Sequence, residues 1–297
     1  MTTTVLILIV LGVVGLVTVV IGSLLQRRSA PLDTEREERF LVAHAPARLQ
    51  RVLRYADRRV AGGAALLVLF TIVLAAATSV GWILDTIDEN RGFARWDESA
   101  AEWGAAHSTA SSTRLLEGAT QFGASGWLLI AMGVIGAVEA WHFRRFAVLG
   151  YLAAVGLGVT ALNNGLKYLV QRERPAVLQL TSFGGYSFPS GHTAAAAACW
   201  AAIALVVARH WKRAGRTAAA LVAAFITLTV AATRVLLGVH WLTDVIAGLV
   251  TGWGWFLLVT VLFGGRILRF GEPADRIAST STTPSPTDRQ ELETTQP

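Results

Sequence analysis

Apolar residues run along this chain in long blocks, and nearly all of its charge is collected in the short stretches between them. A membrane-crossing helix needs roughly 17 to 25 predominantly apolar residues. Seven blocks have that length and predict transmembrane helices at 4–25, 61–84, 123–142, 146–166, 193–210, 217–236 and 243–263. The first differs from a cleaved secretory leader. MTTTVLILIV has no basic lead-in, and QRRSAPLDTERE follows it without a small-residue cleavage site, so a retained span is expected. The predicted fold class is therefore all-α, a polytopic membrane helix bundle. A six-helix core at 61–265 follows one extra N-terminal transmembrane helix at 1–28. Residues 29–60 read as a basic loop and 266–297 as a tail, whose Pro/Thr-rich end from Ser279 has a disordered composition.

Composition agrees with that reading. Of 297 residues, 53% are hydrophobic and only 15% charged, where a soluble domain carries about 25%. The net charge of +6 is explained by arginines at membrane edges, so no nucleic-acid partner is expected. A single cysteine, Cys199, excludes a disulfide within the chain.

The basic residues set an orientation. Nine arginines lie between 26 and 60, and Arg144, Arg145, Lys212, Arg213, Arg216, Arg266 and Arg269 mark further basic turns, whereas 85–122 holds three arginines against seven acids. Alternating spans put every basic turn on one side, which the positive-inside rule makes cytoplasmic. The tail is then cytoplasmic and the N-terminus outside. Lys167, Arg172, Arg174 and Arg234 fall at span ends on the outer face, against the rule. Binding an anion is a reason to keep cations there.

Three segments carry the chemistry. Lys167 and Arg174-Pro175 follow the fourth span; seven residues is nearly two helical turns, so the two cations share a face if the helix continues that far. Pro175 favours an extended backbone at Arg174. Phe188-Pro-Ser190-Gly191-His192 opens the fifth span, with Ser190 as N-cap and helix-start amides able to cradle phosphate oxygens. Thr233-Arg234 precede His240 and Asp244, which at a spacing of four let the carboxylate hold one ring nitrogen. Two histidines, a carboxylate, cations and amides at one membrane level suit phosphoryl transfer. One imidazole attacks and the other protonates the leaving oxygen.

The stretches KYLVQRERP, PSGH and TRVLLGVHWLTD together resemble the type-2 phosphatidic acid phosphatase superfamily, with Thr233 where the family has serine. The likeness extends over roughly 146–263. It implies a metal-independent lipid phosphatase without cofactor or metal. His240 is then the nucleophile, Asp244 its orienting base partner, and His192 the acid that protonates the lipid oxygen and later activates water. Lys167, Arg174 and Arg234 would clamp the phosphate, with Ser190 and the Gly191 amide completing the cradle. The implied partners are a bilayer and a lipid phosphate, met on the extracytoplasmic side of the plasma membrane. Undecaprenyl (polyprenyl) diphosphate is the first expectation, and phosphatidic acid or phosphatidylglycerophosphate the alternative.

Other residues read more plainly. Each motif residue taken singly is an ordinary interfacial or turn residue, and the joint pattern carries the assignment. His44, His107, His142 and His210 read as solvated or interfacial, without partners. Arg172 and Glu173 read as a local pair, with a substrate role for Arg172 as the lesser reading. Glu139 reads as a snorkelled or bundle-facing acid. Phe93, Trp96, Ala100 and Trp103 form a stripe expected of a helix lying in the outer interface, and a lid over the site is the sharper version of that reading. Gly and Ala within 150–165 suit tight helix packing. Three rivals stand beside the phosphatase. A metal triad of His192, His240 and Asp244 is opposed by the surrounding cations, a vanadium haloperoxidase by the membrane spans, and a non-enzymatic lipid-phosphate binder or transporter by the two-histidine, one-carboxylate set.

Overall fold

A computed structural model describes residues 58–143, 146–176 and 184–267. The predicted first span, most of the basic loop and nearly all of the tail lie outside these residues. Eight α-helices are described: α1 Arg58–Asp88, α2 Asp97–Ala106, α3 Ala110–Thr120, α4 Ser125–Phe143, α5 Phe146–Val170, α6 Gly191–Ala208, α7 Arg213–Leu236 and α8 Leu242–Ile267. Two 3-10 turns, Gly92–Trp96 and Gln121–Gly123, complete the order, with no strand among the described residues. Six helices, α1 and α4 to α8, are long and apolar enough to cross a membrane. Each corresponds to one of the last six predicted spans, with ends moved by a few residues.

The helices bury apolar residues against one another and also carry large apolar residues on their outer faces, where a water-soluble bundle would be polar. On α4, Trp127, Ile130, Val134, Val138 and Trp141 are exposed at spacings of three and four, which makes one stripe. Leu221, Phe225 and Leu228 do the same on α7. On helices long and apolar enough to cross a membrane, such continuous apolar surface fits contact with lipid.

The inner helix is α6. Ala194 to Ala198 are all buried, and their methyl side chains let neighbouring helices come close. Helix α8 comes close to it through Gly248 and Gly252. A methyl group at Gly252 would stand 2.4 Å from the Ala194 carbonyl oxygen, and one at Gly248 would stand 2.8 Å from that of Ser190. Polar side chains cross the remaining seams. Tyr151 on α5 shares a hydrogen bond with Thr260 on α8, and the Trp255 indole donates to the Ala154 carbonyl.

At one end, Glu139 near the close of α4 pairs with Arg209 just beyond α6, so Glu139 is the bundle-facing acid. At the other end, α5 stops, α6 starts and α7 turns into α8. There α2 and α3 pack against α7.

Candidate active site

Helix α5 ends at Val170 because Gln171 adopts a left-handed conformation, with φ of 51°. The helix therefore does not continue to Arg174, and a shared helical face is not how the two cations meet. Lys167 sits in the last turn, while Arg174 lies in the irregular stretch before Pro175. They converge on one loop instead. Lys167 Nζ donates to the Tyr186 and Ser187 carbonyls, and Arg174 Nε donates to the Gly185 carbonyl at 2.9 Å. Ser187 ties that loop back, its amide donating to the Arg172 carbonyl at 2.8 Å and its hydroxyl to that of Glu173 at 2.9 Å.

Ser190 occupies the N-cap of α6 in an extended conformation, but its side chain makes no capping bond to a backbone amide. Its buried hydroxyl pairs with the Thr193 hydroxyl, and its amide donates to the Asp244 carbonyl at 3.0 Å. A methyl at Gly191 would meet Asn163 Nδ2 at 3.1 Å and Lys167 Cε at 4.0 Å. The helix start thus lies directly against the α5 cation. His192 is one residue further on, within electrostatic reach of Arg234, His240, Arg174 and Lys167.

The spacing of Arg234 and His240 has a backbone cause. The carbonyl of Arg234 accepts the His240 amide at 3.2 Å, which closes the turn between α7 and α8. Arg234 is almost wholly buried, and its Nη1 donates to Thr120 at the end of α3. The Thr233 hydroxyl is spent locally on the Val230 carbonyl.

His240 Nδ1 faces Asp244 Oδ2 at 3.4 Å, and Nε2 faces Arg174 Nη1 at 3.3 Å. Burial, opposed by Asp244, lowers the His240 ring from its ordinary value to about 4, so it is neutral at physiological pH. Burial also lowers Arg174, again opposed by Asp244. Asp244 is fully buried and receives the Trp241 amide at 3.0 Å on Oδ2.

Arg172 does not pair with Glu173. Its Nη1 donates to Asp244 Oδ1 at 2.6 Å and its Nη2 to Asp97 Oδ2 at 2.8 Å, with the guanidinium 5.3 Å above the Trp241 ring. Asp97, at the start of α2, accepts the Thr243 amide and hydroxyl as well. Neither Asp97, Thr120 nor Asn163 is recoverable from sequence, since each meets the motifs only through folding. His107, His142 and His210 also have partners that sequence did not suggest. His107 stacks on Trp103 at 4.4 Å and bonds its carbonyl, and His210 accepts from Arg209. His44 lies outside the described residues. The aromatic stripe falls across the 3-10 turn and α2, with Phe93, Trp96 and Trp103 exposed and Ala100 packed inward.

Lys167, Arg174, His192, Arg234, His240 and Asp244 thus form one cluster beside the α6 start. Fixed cations and amides can hold a phosphoryl group, and a neutral ring nitrogen within it can attack phosphorus. Among the described residues, no three His, Cys, Asp or Glu side chains are grouped as a metal ligand set.

A family model described as the PAP2 superfamily matches residues 147–267. Phosphatidylglycerophosphatase B of Bacillus subtilis is 34% identical over 158 residues, covering 52% of this chain and 77% of that protein. Lipid A 1-phosphatase of Rhizobium etli is 34% identical over 186 residues, covering 55% and 76%. A crystal structure of a transmembrane PAP2-type phosphatidylglycerolphosphate phosphatase from Bacillus subtilis superimposes with a TM-score of 0.59 at 29% identity, covering 65% of this chain and 98% of that one.

Proposed function

The chain belongs to the PAP2 superfamily of lipid phosphatases, and from that premise we propose a phosphohistidine mechanism centred on His240. The hydrolase is an integral membrane protein. The observation that carries the reading is the His240 ring, with Nδ1 toward Asp244 and Nε2 toward the cations.

On a lipid diphosphate, attack by the Nε2 lone pair on the terminal phosphorus forms a nitrogen–phosphorus bond as the bond to the bridging oxygen breaks. On a lipid monophosphate the bond broken is the one to the lipid ester oxygen. Asp244 stabilises the positive charge that the ring acquires. His192 donates its proton to the departing oxygen and then takes one from water, whose attack on phosphorus releases inorganic phosphate and frees His240. Lys167, Arg174 and Arg234 hold the non-bridging oxygens. Because the Ser190 hydroxyl is buried against Thr193, the helix-start amides at Gly191 and beyond supply the neutral part of the cradle.

The site faces the outside of the plasma membrane in this reading, because the basic turns belong in the cytoplasm. Cysteine placed at Ala176, but not at Ala214, should react with an impermeant thiol reagent on intact cells lacking Cys199. The reverse pattern would invert the topology.

Polyprenyl diphosphate, such as undecaprenyl diphosphate, is the proposed substrate, since an exported carrier leaves its diphosphate on that face. The name of the Bacillus relative, phosphatidylglycerophosphatase B, favours a second reading, phosphatidylglycerophosphate. Phosphate release by the purified protein from matched detergent micelles of each lipid decides between them. A kcat/KM at least tenfold higher for the diphosphate supports the first reading, and the opposite order supports the second.

A further inference from the structure

Asp244 must carry negative charge to stabilise a positively charged ring at His240, yet Arg172 lies 2.6 Å from its Oδ1. A guanidinium at that distance, in a buried site, would cancel the carboxylate. The structure supplies a second carboxylate on the far side of the same fork, Asp97, at 2.8 Å from Nη2.

We infer that Asp97 and Arg172 are positioning residues: the Arg172 fork fixes the Asp244 carboxylate, and Asp97 restores the negative charge that Arg172 would remove from it. Across Asp97, Arg172 and Asp244 the formal charges are −1, +1 and −1. The trio therefore presents one net negative charge to His240, as a lone aspartate would, but held rigid by a two-armed guanidinium.

The surroundings favour this role over simple anchoring of α2. Asp97 is buried, and its other partners are the amide and hydroxyl of Thr243, the residue next to Asp244. Helix α2 is seated independently of that charge. Ala101 is fully buried, and Gly104 lies so close to α7 that a methyl there would stand 2.8 Å from the Leu236 carbonyl oxygen. Glu98 and Glu102 on the same helix are exposed. The acid placed on the inner face is Asp97, and it meets the arginine that touches Asp244.

The proposal rests on His240 as nucleophile and makes a signed prediction. In Asp97→Asn the trio sums to zero, in Arg172→Met to −2, and in the double variant to −1 again. Asn keeps an oxygen to accept the Thr243 amide, so the seat of α2 is retained. The other charged or titratable groups facing His240, namely Arg174, Arg234 and His192, are the same residues in all three. The full-length protein in detergent is titrated by histidine ring NMR, with His240 assigned by the signal lost in His240→Ala. Turnover of dioctanoyl phosphatidate is measured in parallel.

The His240 midpoint should move down in Asp97→Asn and up in Arg172→Met, each by roughly half to one pH unit, and return to within about 0.3 unit of wild type in the double variant. Turnover should fall about tenfold or more in Asp97→Asn, and the double variant should recover part of that loss. Shifts in the same direction for both single variants, or an unmoved midpoint in Asp97→Asn, would overturn the proposal. His240→Ala tests the premise separately: turnover there near the wild-type rate would remove the nucleophile reading and this proposal with it. An inactive His240→Ala with an unmoved midpoint in Asp97→Asn would remove only the role of the pair.

Discussion

Arg174 Nη1 lies 3.3 Å from His240 Nε2. A guanidinium can only donate, so this ring nitrogen accepts and carries a lone pair, and the proton resides on Nδ1 toward Asp244. The site thus holds the tautomer that the proposed attack requires. An entering phosphoryl group would take over the Arg174 donor and meet the lone pair it had been covering.

Ring titration checks the state of the proposed nucleophile. Burial holds His240 neutral down to about pH 4, whereas the unfolded ring gains its proton near the ordinary imidazole value of about 6.5. His240 should therefore limit activity only as pH falls toward 4. Between those two values the unfolded chain binds the extra proton, so acid should lower stability there. A His240 midpoint near 6.5 in the folded protein would contradict this.

Arg234→Lys should reduce kcat/KM by about a hundredfold although charge is conserved. The guanidinium is buried with one arm on Thr120, and an ammonium cannot bond Thr120 and span the phosphate oxygens together. Steady-state kinetics on a short-chain lipid phosphate will show it. Near-normal kinetics would mean that Arg234 acts only as a point charge.

His192→Ala should slow turnover of a lipid phosphate by about a hundredfold or more. The defect in forming the phosphoenzyme should shrink with p-nitrophenyl phosphate, whose phenolate leaves without a proton. Burst kinetics separate that step from hydrolysis. Equal losses in the burst rate on both substrates would exclude His192 as the general acid.

Much of this was legible in the chain because the constraints are local. A bilayer demands unbroken apolar length, so six spans could be placed from residue order, and motif spacing reflects turns such as the bond from the His240 amide to the Arg234 carbonyl. What sequence hid is tertiary. Nothing in KYLVQRERP shows that Gln171 goes left-handed and ends α5 before Arg174. Nor does it show that Arg172 would bypass its neighbour Glu173 for Asp97, 75 residues away. That aspartate looked like one acid among seven in a polar stretch, since pairing over such a distance leaves no periodic trace.

Activity should survive EDTA and need no added magnesium, because in the proposed mechanism Lys167, Arg174 and Arg234 supply the charge a metal would bring, and they would repel a divalent cation. Vanadate should inhibit as a mimic of five-coordinate phosphorus. Complete loss of activity in EDTA, restored by zinc or magnesium, would instead revive a metal site.

The central claim is a covalent bond from phosphorus to His240, and quenching the enzyme during turnover tests it most directly. Full-length protein mixed with lipid substrate labelled with ³²P should, when stopped in alkali, carry acid-labile radioactivity that mass spectrometry places on His240. The signal should rise in His192→Ala with p-nitrophenyl phosphate, where formation is spared and hydrolysis is slowed, and vanish in His240→Ala. Sustained turnover by His240→Ala, or label recovered on another residue while His240 stays unmodified, would contradict the account.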